Sequence, residues 1–435
     1  MTNIISADPY ILEEEHHYLL DRLAERNAVI FLTGKAGTGK STLLKIFQKI
    51  TDKKIVLLAP TGIAAVQIKG QTVHSFFRIP PNFHSRNEYH KLPKNFLEKI
   101  DMIVIDEISM LRADLLDHID QILKLSMKSN LPFGNIPMLW IGDLFQLPPV
   151  VTREESVFFY SLYKSPYFFS SNVFKDLPNF EMIELQRVFR QKDPNFIKLL
   201  NKIRLGEIDV EDLEDLNREL YLKKESSIHQ PASLRITITA TNYIANAINQ
   251  KQLQLIESKS LTYTADITGT VLANQYPNDQ ILNLKIGAQV IFIRNDPNKQ
   301  FVNGTLGHII DIQKDYAMIE LELSGVSRII EVKKMTWEIV KYQFNSAAKD
   351  IKSEVVGTFS QLPLKLGWAI TIHKSQGQTF EKVNIDLGSG AFEKGQSYVA
   401  LSRCKSLEGI KLKSPIKLSD IQFDEEVVDF LRKFN

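Results

Sequence analysis

Residues 34–41, GKAGTGKS, place glycines, a lysine and a serine at the spacing of a phosphate-binding loop. An apolar run precedes the segment and an amphipathic stretch follows it, which predicts the strand, loop and helix that this motif requires. The backbone N–H groups of such a loop surround phosphate oxygens, and the helix N-terminus adds partial positive charge. Lys40 is expected to reach the β- and γ-phosphates of ATP, and Ser41 to ligate Mg²⁺. The loop residues predicted to bind the nucleotide are Gly34, Ala36, Gly37, Thr38, Gly39, Lys40, Ser41 and Thr42.

Two carboxylates stand together in VIDEIS, residues 104–109, where an apolar run predicts the end of a buried strand. Asp106 is expected to hold the magnesium ion, directly or through water. Glu107 can accept a proton from an attacking water, which is the role of a general base. A solvated turn also accommodates adjacent carboxylates, and a glycine-rich turn can carry an incidental lysine, so these simpler interpretations stand beside the catalytic one.

The segment GDLFQLPPV, residues 142–150, puts a charge and an amide at the end of another predicted strand. A turn accounts for the glycine and the prolines but not for Asp143 and Gln146. If this strand and the VIDEIS strand are neighbours in a parallel sheet, their carboxyl ends face one cleft. Gln146 would then lie near the γ-phosphate, where a neutral amide can sense the phosphate without neutralising Lys40. A polar turn is the alternative.

Strand-like and helical patterns alternate through the first 150 residues, which predicts a mostly parallel sheet covered on both faces. The strand candidates are 28–33, 54–59, 101–106 and 138–142. Residues 78–99 interrupt this rhythm as an inserted excursion. The chain becomes helical after residue 180 and β-rich from about 262 to 356, and helix–strand alternation then resumes. Two α/β cores, the second interrupted by a β-rich insert, are therefore predicted.

Composition restricts the class of protein. The chain has 435 residues, of which 44% are hydrophobic and 24% charged, as in ordinary globular proteins of about three domains. No apolar stretch reaches the ~18 residues of a membrane span, and the first residues do not have the pattern of a signal peptide. Cys404 is the only cysteine, which excludes an internal disulfide and a Cys-rich zinc site. A cytoplasmic location is expected, while the net charge of +2 neither predicts nor forbids a nucleic-acid groove.

The order and wording of seven motifs resemble the Pif1 family of helicases, over roughly residues 28–412. That family belongs to helicase superfamily 1 and moves 5′ to 3′ on single-stranded DNA. The stretch at 185–206 is similar to the family's signature segment, which other phosphate-binding-loop ATPases do not share. The motifs are GKAGTGKS, APTGIAAVQIKGQTVHSFF, VIDEISM, GDLFQLPPV, LQRVFRQKDPNFIKLLNKIRLG, WAITIHKSQGQTF and SYVALSRCKSLEGI.

The resemblance implies an α/β fold of two RecA-like P-loop cores with parallel sheets, a small insertion in the first core and a β-rich, SH3-like insertion in the second. The first core, 1A, would cover residues 1–185, with a wedge, 1B, at about 78–99. The second core, 2A, would consist of 186–261 and 357–435. The β-rich insertion, 2B, would occupy 262–356 and form the far wall of a DNA channel.

The resemblance also assigns roles at the nucleotide. Gln146 resembles the family's γ-phosphate sensor, which links the nucleotide state to the grip on DNA. Arg190 and Arg403 resemble two arginines that the second core contributes across the cleft, where a guanidinium stabilises charge on the transferring phosphoryl group. A surface ion pair is the simpler interpretation of each arginine. The predicted catalytic set is Lys40, Asp106, Glu107, Gln146, Arg190 and Arg403, and Gly377 is added to the nucleotide-binding residues.

Four short segments resemble the DNA-contacting elements of the family. Their polar, basic and aromatic side chains suit backbone phosphates and stacked bases. Phe77, beside Phe76, is expected in the core, and the pair at 303–304 is equally consistent with a structural role. The residues predicted to contact DNA are Thr61, Gly62, His74, Ser75, Phe76, Asn303, Gly304, His373, Lys374 and Gln376.

One position departs from the family pattern. The family has a glutamine that reads adenine about 17 residues before the loop, whereas this chain has Glu15, His16 or His17 there. Specificity for adenine is therefore open.

Two functions fit these motifs. The first is an ATP-driven and Mg²⁺-dependent 5′-to-3′ DNA helicase acting on single strands and single-strand–duplex junctions, as a monomer or as a dimer on DNA, without a membrane partner. The second is a nucleotide-switched DNA-binding protein that remodels complexes without separating strands. Residues from two cores and two arginines favour the motor. No residue pattern discriminates DNA from RNA.

Overall fold

The protein is described here by a computed structural model, in which no described helix has the length and apolarity to cross a membrane. The described residues are 14–24, 29–80, 89–221, 234–323, 326–345 and 350–434. The helices are α1 (Glu14–Ala24), α2 (Lys40–Ile50), α3 (Gly62–Gln67), α4 (Val73–Phe77), α5 (Lys94–Leu97), α6 (Ala113–Met127), α7 (Arg153–Tyr160), α8 (Asn172–Lys175), α9 (Pro194–Leu205), α10 (Val210–Tyr221), α11 (Asn242–Leu255), α12 (Ile372–Ser375), α13 (Gln396–Ser402) and α14 (Glu425–Leu431).

Strands account for most of the remaining regular structure. In chain order they are β1 (Val29–Gly34), β2 (Ile55–Ala59), β3 (Gln71–Thr72), β4 (Met102–Ile105), β5 (Met138–Ile141), β6 (Phe180–Leu185), β7 (Ile236–Thr239), β8 (Ser260–Thr264), β9 (Asp266–Gly269), β10 (Ile281–Lys285), β11 (Gln289–Phe292), β12 (Leu306–Ile312), β13 (Tyr316–Leu323), β14 (Val326–Lys333), β15 (Met335–Asn345), β16 (Asp350–Gln361), β17 (Leu364–Leu366), β18 (Ala369–Thr371), β19 (Val383–Asp386) and β20 (Ile410–Leu412).

The first core is a six-stranded parallel sheet in the order β3–β2–β4–β5–β1–β6. The four strands predicted in the first 150 residues are β1, β2, β4 and β5. Successive β1 side chains face opposite helical layers: Ile30 packs with Leu43 of α2, and Phe31 lies in the cluster that includes Leu116 of α6. Because both faces are covered, β1, β4 and β5 are buried at every position.

The second core is a four-stranded parallel sheet in the order β18–β7–β19–β20. Its Ile238 and Ile385 belong to the same buried cluster as Ile105 and Trp140 of the first sheet, so the two cores pack against each other. The predicted α/β class with two parallel-sheet cores is confirmed.

The C-terminal helix α14 returns to the first core. Phe430 stacks on Phe169 with ring centroids 4.4 Å apart and meets Phe174 edge-on. Val427, on the same helix, is fully buried. The expected assignment of all residues from 357 to 435 to the second core therefore does not describe this helix, because its apolar face is covered by aromatic side chains of the first core.

Antiparallel strands form the β-rich unit between the two halves of the second core. Five strands pair in the order β14–β13–β12–β11–β17, three in the order β15–β16–β9, and β8 pairs with β10. The limit expected at residue 356 falls inside β16, and antiparallel pairing continues to Leu366 through β17. The unit therefore extends from Ser260 to Leu366, because hydrogen bonding passes the point where the sequence pattern changes.

The excursion expected at 78–99 is described only in part, since residues 81–88 lie outside the described ranges. Leu92, Phe96 and Leu97 are buried. The backbone N–H of Leu92 donates to the Ser126 hydroxyl of α6 at 2.9 Å. This part of the excursion is thus anchored on the first core, and the expected wedge at about 78–99 includes residues 81–88, which lie outside the described residues.

Candidate nucleotide site and nucleic-acid surface

The phosphate-binding loop connects the end of β1 to the start of α2. Gly37 and Gly39 have φ angles of +87° and +86°, a left-handed conformation that favours glycine. A Cβ atom on Gly37 would lie 2.5 Å from the Cβ of Arg190, so a side chain there would displace that arginine. The loop can therefore turn its N–H groups toward an anion only because these positions are glycine.

Lys40 begins α2 and lies over the loop. Its ammonium donates to the carbonyl oxygens of Gly34 at 2.6 Å and Lys35 at 3.1 Å. The Thr38 hydroxyl donates to the same Lys35 carbonyl at 2.9 Å. Burial lowers the pKa of Lys40, while Asp143 and then Glu107 oppose that shift. The ammonium is thus surrounded by oxygen acceptors at the place where phosphate oxygens are expected.

Most of the predicted nucleotide and catalytic residues line one cavity of about 350 Å³. Gly34 and Asp106 do not line it. Five further residues line the cavity and were not predicted from the sequence. Phe189 and Lys405 lie within two positions of the predicted arginines, and that proximity was the available signal. The five residues are Leu43, Ile46, Phe189, Thr379 and Lys405. The predicted residues on its wall are Ala36, Gly37, Thr38, Gly39, Lys40, Ser41, Thr42, Glu107, Gln146, Arg190, Gly377 and Arg403.

Asp106 and Glu107 follow β4 at the carboxyl edge of the first sheet. Glu107 adopts a left-handed φ of +52°, and its N–H donates to the Asp106 carboxylate at 3.0 Å. Burial raises the pKa of Asp106 to about 6. Burial, and next the neighbouring Asp106, raise the pKa of Glu107 to about 7, a value suited to a proton acceptor near neutral pH.

The residues present fit Mg²⁺ in chemical type. Ser41 and Asp106 offer oxygen ligands, and Mg²⁺ in phosphate sites takes one or two protein oxygens together with phosphate oxygens and water. Two adjacent buried carboxylates with raised pKa values are also a place where a cation is stabilised. Elsewhere in the described ranges no group of three or more His, Cys, Asp and Glu residues could hold a metal ion.

Asp143 and Gln146 form a buried turn at the end of β5. This strand pairs with β4, which meets the condition set for their role near the γ-phosphate. The Gln146 amide nitrogen donates to the Asp143 carboxylate at 3.2 Å. Its amide oxygen accepts from the Gln376 side chain of the second core at 3.4 Å. The amide therefore connects the nucleotide cavity of one core with a predicted DNA-contacting residue of the other.

Two arginines close the cavity from the opposite side. Arg190 donates to the Ser402 carbonyl at 3.0 Å, and Arg403 donates to the Val399 carbonyl at 2.9 Å. Burial, and next the charge of Arg403, lower the pKa of Arg190 to about 9, and burial lowers the pKa of Arg403. Arg403 is only 1% exposed, which excludes the alternative of a surface ion pair for it. Two buried like charges favour an anion with several negative charges between them.

The first-core DNA candidates lie at two helix starts. Thr61 caps α3 by accepting from the Ala64 N–H at 3.3 Å, and Gly62 is the first residue of that helix. His74 and Ser75 lie on α4, where burial lowers the pKa of His74 and the Ser75 hydroxyl accepts from Gln71 at 2.8 Å. These side chains remain partly accessible.

The prediction that Phe76 stacks a base is not supported by its position. Phe76 is 6% exposed and packs against Phe77, Phe96 and Tyr342 at ring-centroid distances of 4.8, 5.9 and 6.1 Å. Its aromatic ring is buried between two rings of the first core and Tyr342 of β15. Phe77 is fully buried, as predicted.

The second-core candidates lie on α12 and the residue that ends it. His373 lies 3.3 Å from the Glu393 carboxylate, and burial lowers the pKa of Lys374. A Cβ on Gly377 would lie 3.8 Å from the Gln67 side chain of α3, so this segment faces the first-core candidates across the cleft.

Asn303 and Gly304 lie in the turn before β12. The Asn303 N–H donates to the Asn295 side chain at 2.7 Å, and the Gly304 N–H donates to the Phe292 carbonyl at 2.8 Å. Gly304 is buried with a φ of +92°. These contacts match the structural role that the sequence left open better than the predicted DNA contact.

The segment that would read the base is α1. Glu15 and His16 are part of this helix, and His17 is exposed. No described contact links His17 to the cavity lining.

Comparisons with known proteins identify one family. Residues 12–214 match the family model described as PIF1-like helicase, and residues 267–312 match the model of the Pif1 2B domain. A protein of Bdellovibrio bacteriovorus named ATP-dependent DNA helicase Pif1 is 31% identical, over 93% of this chain and 88% of its own length.

Two solved structures of Bacteroides Pif1 are also similar. The complex with ADP-AlF4 has 35% identity and a TM-score of 0.87, covering 98% of this chain and 97% of that one. The complex with single-stranded DNA has 36% identity, the same coverage and a TM-score of 0.68. The chain spans about 60% of the length of the eukaryotic curated relatives it matches.

Proposed function

The chain belongs to the PIF1-like helicase family, and from this premise we propose that it is an ATP-dependent DNA helicase that moves 5′ to 3′ on single-stranded DNA and separates duplex strands. The observation that carries the proposal is the hydrogen bond between Gln146 and Gln376. It joins the nucleotide cavity to the segment that resembles a DNA-contacting element, and it does so across the two cores. A motor needs such a link.

The chain's own residues would divide the work at the nucleotide. The loop N–H groups and Lys40 bind and orient the phosphates, and Glu107 takes the proton of the attacking water. Arg190 and Arg403 stabilise the charge that develops on the transferring group. Ser41 and Asp106 would hold Mg²⁺, which when bound withdraws charge from the phosphate oxygens.

Movement on DNA would follow from alternate grips by the two cores. Thr61, Gly62, His74 and Ser75 supply polar groups on the first core, and His373 and Lys374 supply them on the second. Hydrolysis removes the group that Gln146 senses, and Gln376 transmits that change to the second grip. Single strands and single-strand–duplex junctions are the proposed substrates, with a monomer as the translocating unit and a pair of copies at a junction as the alternative.

The domain division is part of the proposal. The first core comprises residues 1–185 with the wedge at about 78–99, and α14 packs on it. The second core, expected to include 186–261, comprises the residues from 186 up to the start of the β-rich unit at Ser260 and the segment after that unit. ATP is the proposed nucleotide, and nucleoid DNA in the cytoplasm is the proposed location.

The test is ATP hydrolysis with and without single-stranded DNA, followed by unwinding of duplexes with a 5′ or a 3′ tail. Strong stimulation and unwinding from the 5′ tail alone support the proposal. Stimulation without unwinding of either duplex would instead support the nucleotide-switched remodelling protein. Stimulation by RNA of the same sequence would reassign the substrate, and parallel assays with GTP would decide the base specificity.

A further inference from the structure

Arg204 lies in the last turn of α9, at the C-terminal end of the segment 185–206 that resembles the family signature. Unlike Arg190 of the same segment, Arg204 has so far received no role. Its side chain is buried, with only 6% of its surface exposed, which is unusual for a charged residue. Its guanidinium carbon lies 4.2 Å from the centroid of the Phe145 ring. One terminal nitrogen lies 3.5 Å from an Asp143 oxygen and 3.7 Å from a Glu184 oxygen. Removing either the buried arginine or its carboxylate partners would leave an uncompensated charge in the interior, which destabilises the protein.

Asp143 is the point where these contacts converge. The side chain is fully buried. One carboxylate oxygen lies nearest Arg204 and accepts from the Phe145 N–H at 3.2 Å. The other oxygen accepts from the Gln146 amide at 3.2 Å and from the Tyr398 hydroxyl at 3.3 Å. The Tyr398 hydroxyl in turn accepts from the Ala36 N–H of the phosphate-binding loop at 2.8 Å.

The Asp143 carboxylate determines which end of the Gln146 amide donates and which end accepts. An ionised carboxylate only accepts, so it must face the amide nitrogen of Gln146 and not its oxygen. The amide oxygen is then turned to Gln376, whose amide nitrogen donates to it at 3.4 Å. The orientation of both amides therefore follows from the position of the Asp143 carboxylate. Arg204 is the buried cation nearest to that carboxylate by ion-pair distance within the described residues.

We propose that Arg204 is a positioning residue for the nucleotide sensor: by holding the Asp143 carboxylate in place, it fixes the donor end of Gln146 and thereby the link to Gln376. This inference rests on the proposed function, because it takes Gln146 as the residue that couples hydrolysis to DNA. It gives the signature segment a physical task. That segment delivers a cation from α9 to the rear of the turn that carries Gln146.

The ion pairs of Arg204 are long. Its distances to the Asp143 and Glu184 carboxylates, 3.5 and 3.7 Å, exceed the ~2.7–2.9 Å of a charge-assisted hydrogen bond. Asp143 and Glu184 therefore share the guanidinium without either holding it closely.

The experiment is a double-mutant cycle on DNA-stimulated ATP hydrolysis with wild type, Arg204→Met, Gln146→Ala and the double variant. Each single change is expected to lower the DNA-stimulated kcat about tenfold and to change the KM for ATP less than about twofold, since the phosphate-binding loop is intact. The double variant is expected to be no slower than the slower single variant, because both changes interrupt one pathway. Lys198→Met, an exposed residue of the same helix, is the matched control and should retain wild-type stimulation.

Two results would overturn the inference. One is a folded Arg204→Met protein with wild-type DNA stimulation, and the other is a double variant whose defect equals the product of the two single defects. If Arg204→Met does not fold, Arg204→Gln takes its place in the same cycle, since it removes the guanidinium and keeps a polar side chain of similar length. Additive effects there overturn the inference equally.

The wild-type arm separates this inference from the proposed function. A wild type whose ATP hydrolysis does not respond to DNA contradicts the proposed helicase. The cycle is then evaluated on the kcat measured without DNA. A double variant whose loss equals the product of the two single losses overturns the positioning role, and a double variant no slower than the slower single variant supports it.

Discussion

The Lys40 ammonium donates to the Gly34 carbonyl at 2.6 Å, so the lysine is held by the loop that it serves. The loop carbonyl keeps the long side chain extended over the N–H groups of the loop and limits its rotamers. Burial lowers the pKa of Lys40, and the charges of Asp143 and then Glu107 oppose that shift. A phosphate oxygen placed there would gain a cation that is already oriented.

Lys40→Ala is therefore expected to abolish ATP hydrolysis while the protein stays folded, because the lysine contributes to phosphate binding and not to the core. Thermal unfolding should shift by no more than a few degrees, and much of the affinity for single-stranded DNA should remain. Lys49→Ala, at the far end of α2, is the control for removal of a positive charge from the same helix. Measurable turnover by a folded Lys40→Ala protein would contradict the assignment of the phosphate-binding loop.

Gly395 lies where α13 approaches the turn that carries Gln146, and the space around it leaves no room for a side chain. It precedes α13 with a φ of +76°, and a Cβ there would lie 2.5 Å from the Phe145 carbonyl oxygen and 2.6 Å from that of Gln146. Gly395→Ala should therefore push α13, and with it Arg403, away from the turn at residues 143–146. We expect kcat to fall by at least about tenfold.

Gly388→Ala is the matched control for that change. Gly388 has a similar φ of +65°, but its Cβ would meet only the flexible end of Ile244 at 3.1 Å. Both alanines carry backbone strain of about 1 kcal/mol. Equal losses of activity in the two variants would show that strain, and not the contact with the sensor turn, is responsible.

Local patterns were sufficient for much of the fold and for the nucleotide cavity. The glycine–lysine loop, the paired carboxylates and the GDLFQ turn each follow a strand that is apolar throughout, and the carboxyl ends of parallel strands meet at one edge. That single rule brings Lys40, Glu107 and Gln146 to the same cavity. The two arginines were identified by resemblance, and the structure brings both to the cavity wall.

The sequence could not show which face of a short amphipathic helix is covered by residues that are distant in the chain. Phe76 follows a polar pair that suits DNA, but Tyr342 of the β-rich unit packs on its ring and buries it. Arg204 likewise has the pattern of a helix-ending cation, and its charge partners come from β5 and β6. The limit at residue 356 was missed because β16 continues across a polar stretch.

The burial of Phe76 leads to a test that separates core from DNA contact. Phe76→Ala should lower the free energy of unfolding by roughly 3–5 kcal/mol, as loss of a buried aromatic ring does. Phe76→Leu should cost less than about 1.5 kcal/mol and leave the affinity for single-stranded DNA within about twofold. Denaturant unfolding and fluorescence anisotropy measure the two quantities. A Leu variant that is stable but binds DNA at least tenfold more weakly would restore the stacking role.

The burial of His118 leads us to expect that the first core loses stability at acid pH. His118 lies on α6 with 4% exposure, its ring 4.7 Å from Tyr89, and burial lowers its pKa to about 4. An unfolded chain has a histidine pKa of ~6.5. Between those values the unfolded chain binds a proton that the folded chain does not, so stability falls as pH falls below 6.5 and is unaffected above it.

Between pH 7 and pH 5 the wild type should therefore lose about 1–2 kcal/mol more of its unfolding free energy than His118→Gln, which does not titrate. The difference between the two proteins isolates His118 from Asp106 and Glu107, whose raised pKa values act in the opposite direction over this range. His17→Gln, at an exposed position on α1, should follow the wild type at both pH values. Parallel losses in wild type and His118→Gln would show that His118 titrates normally in the folded protein and that its burial does not exclude the charged form.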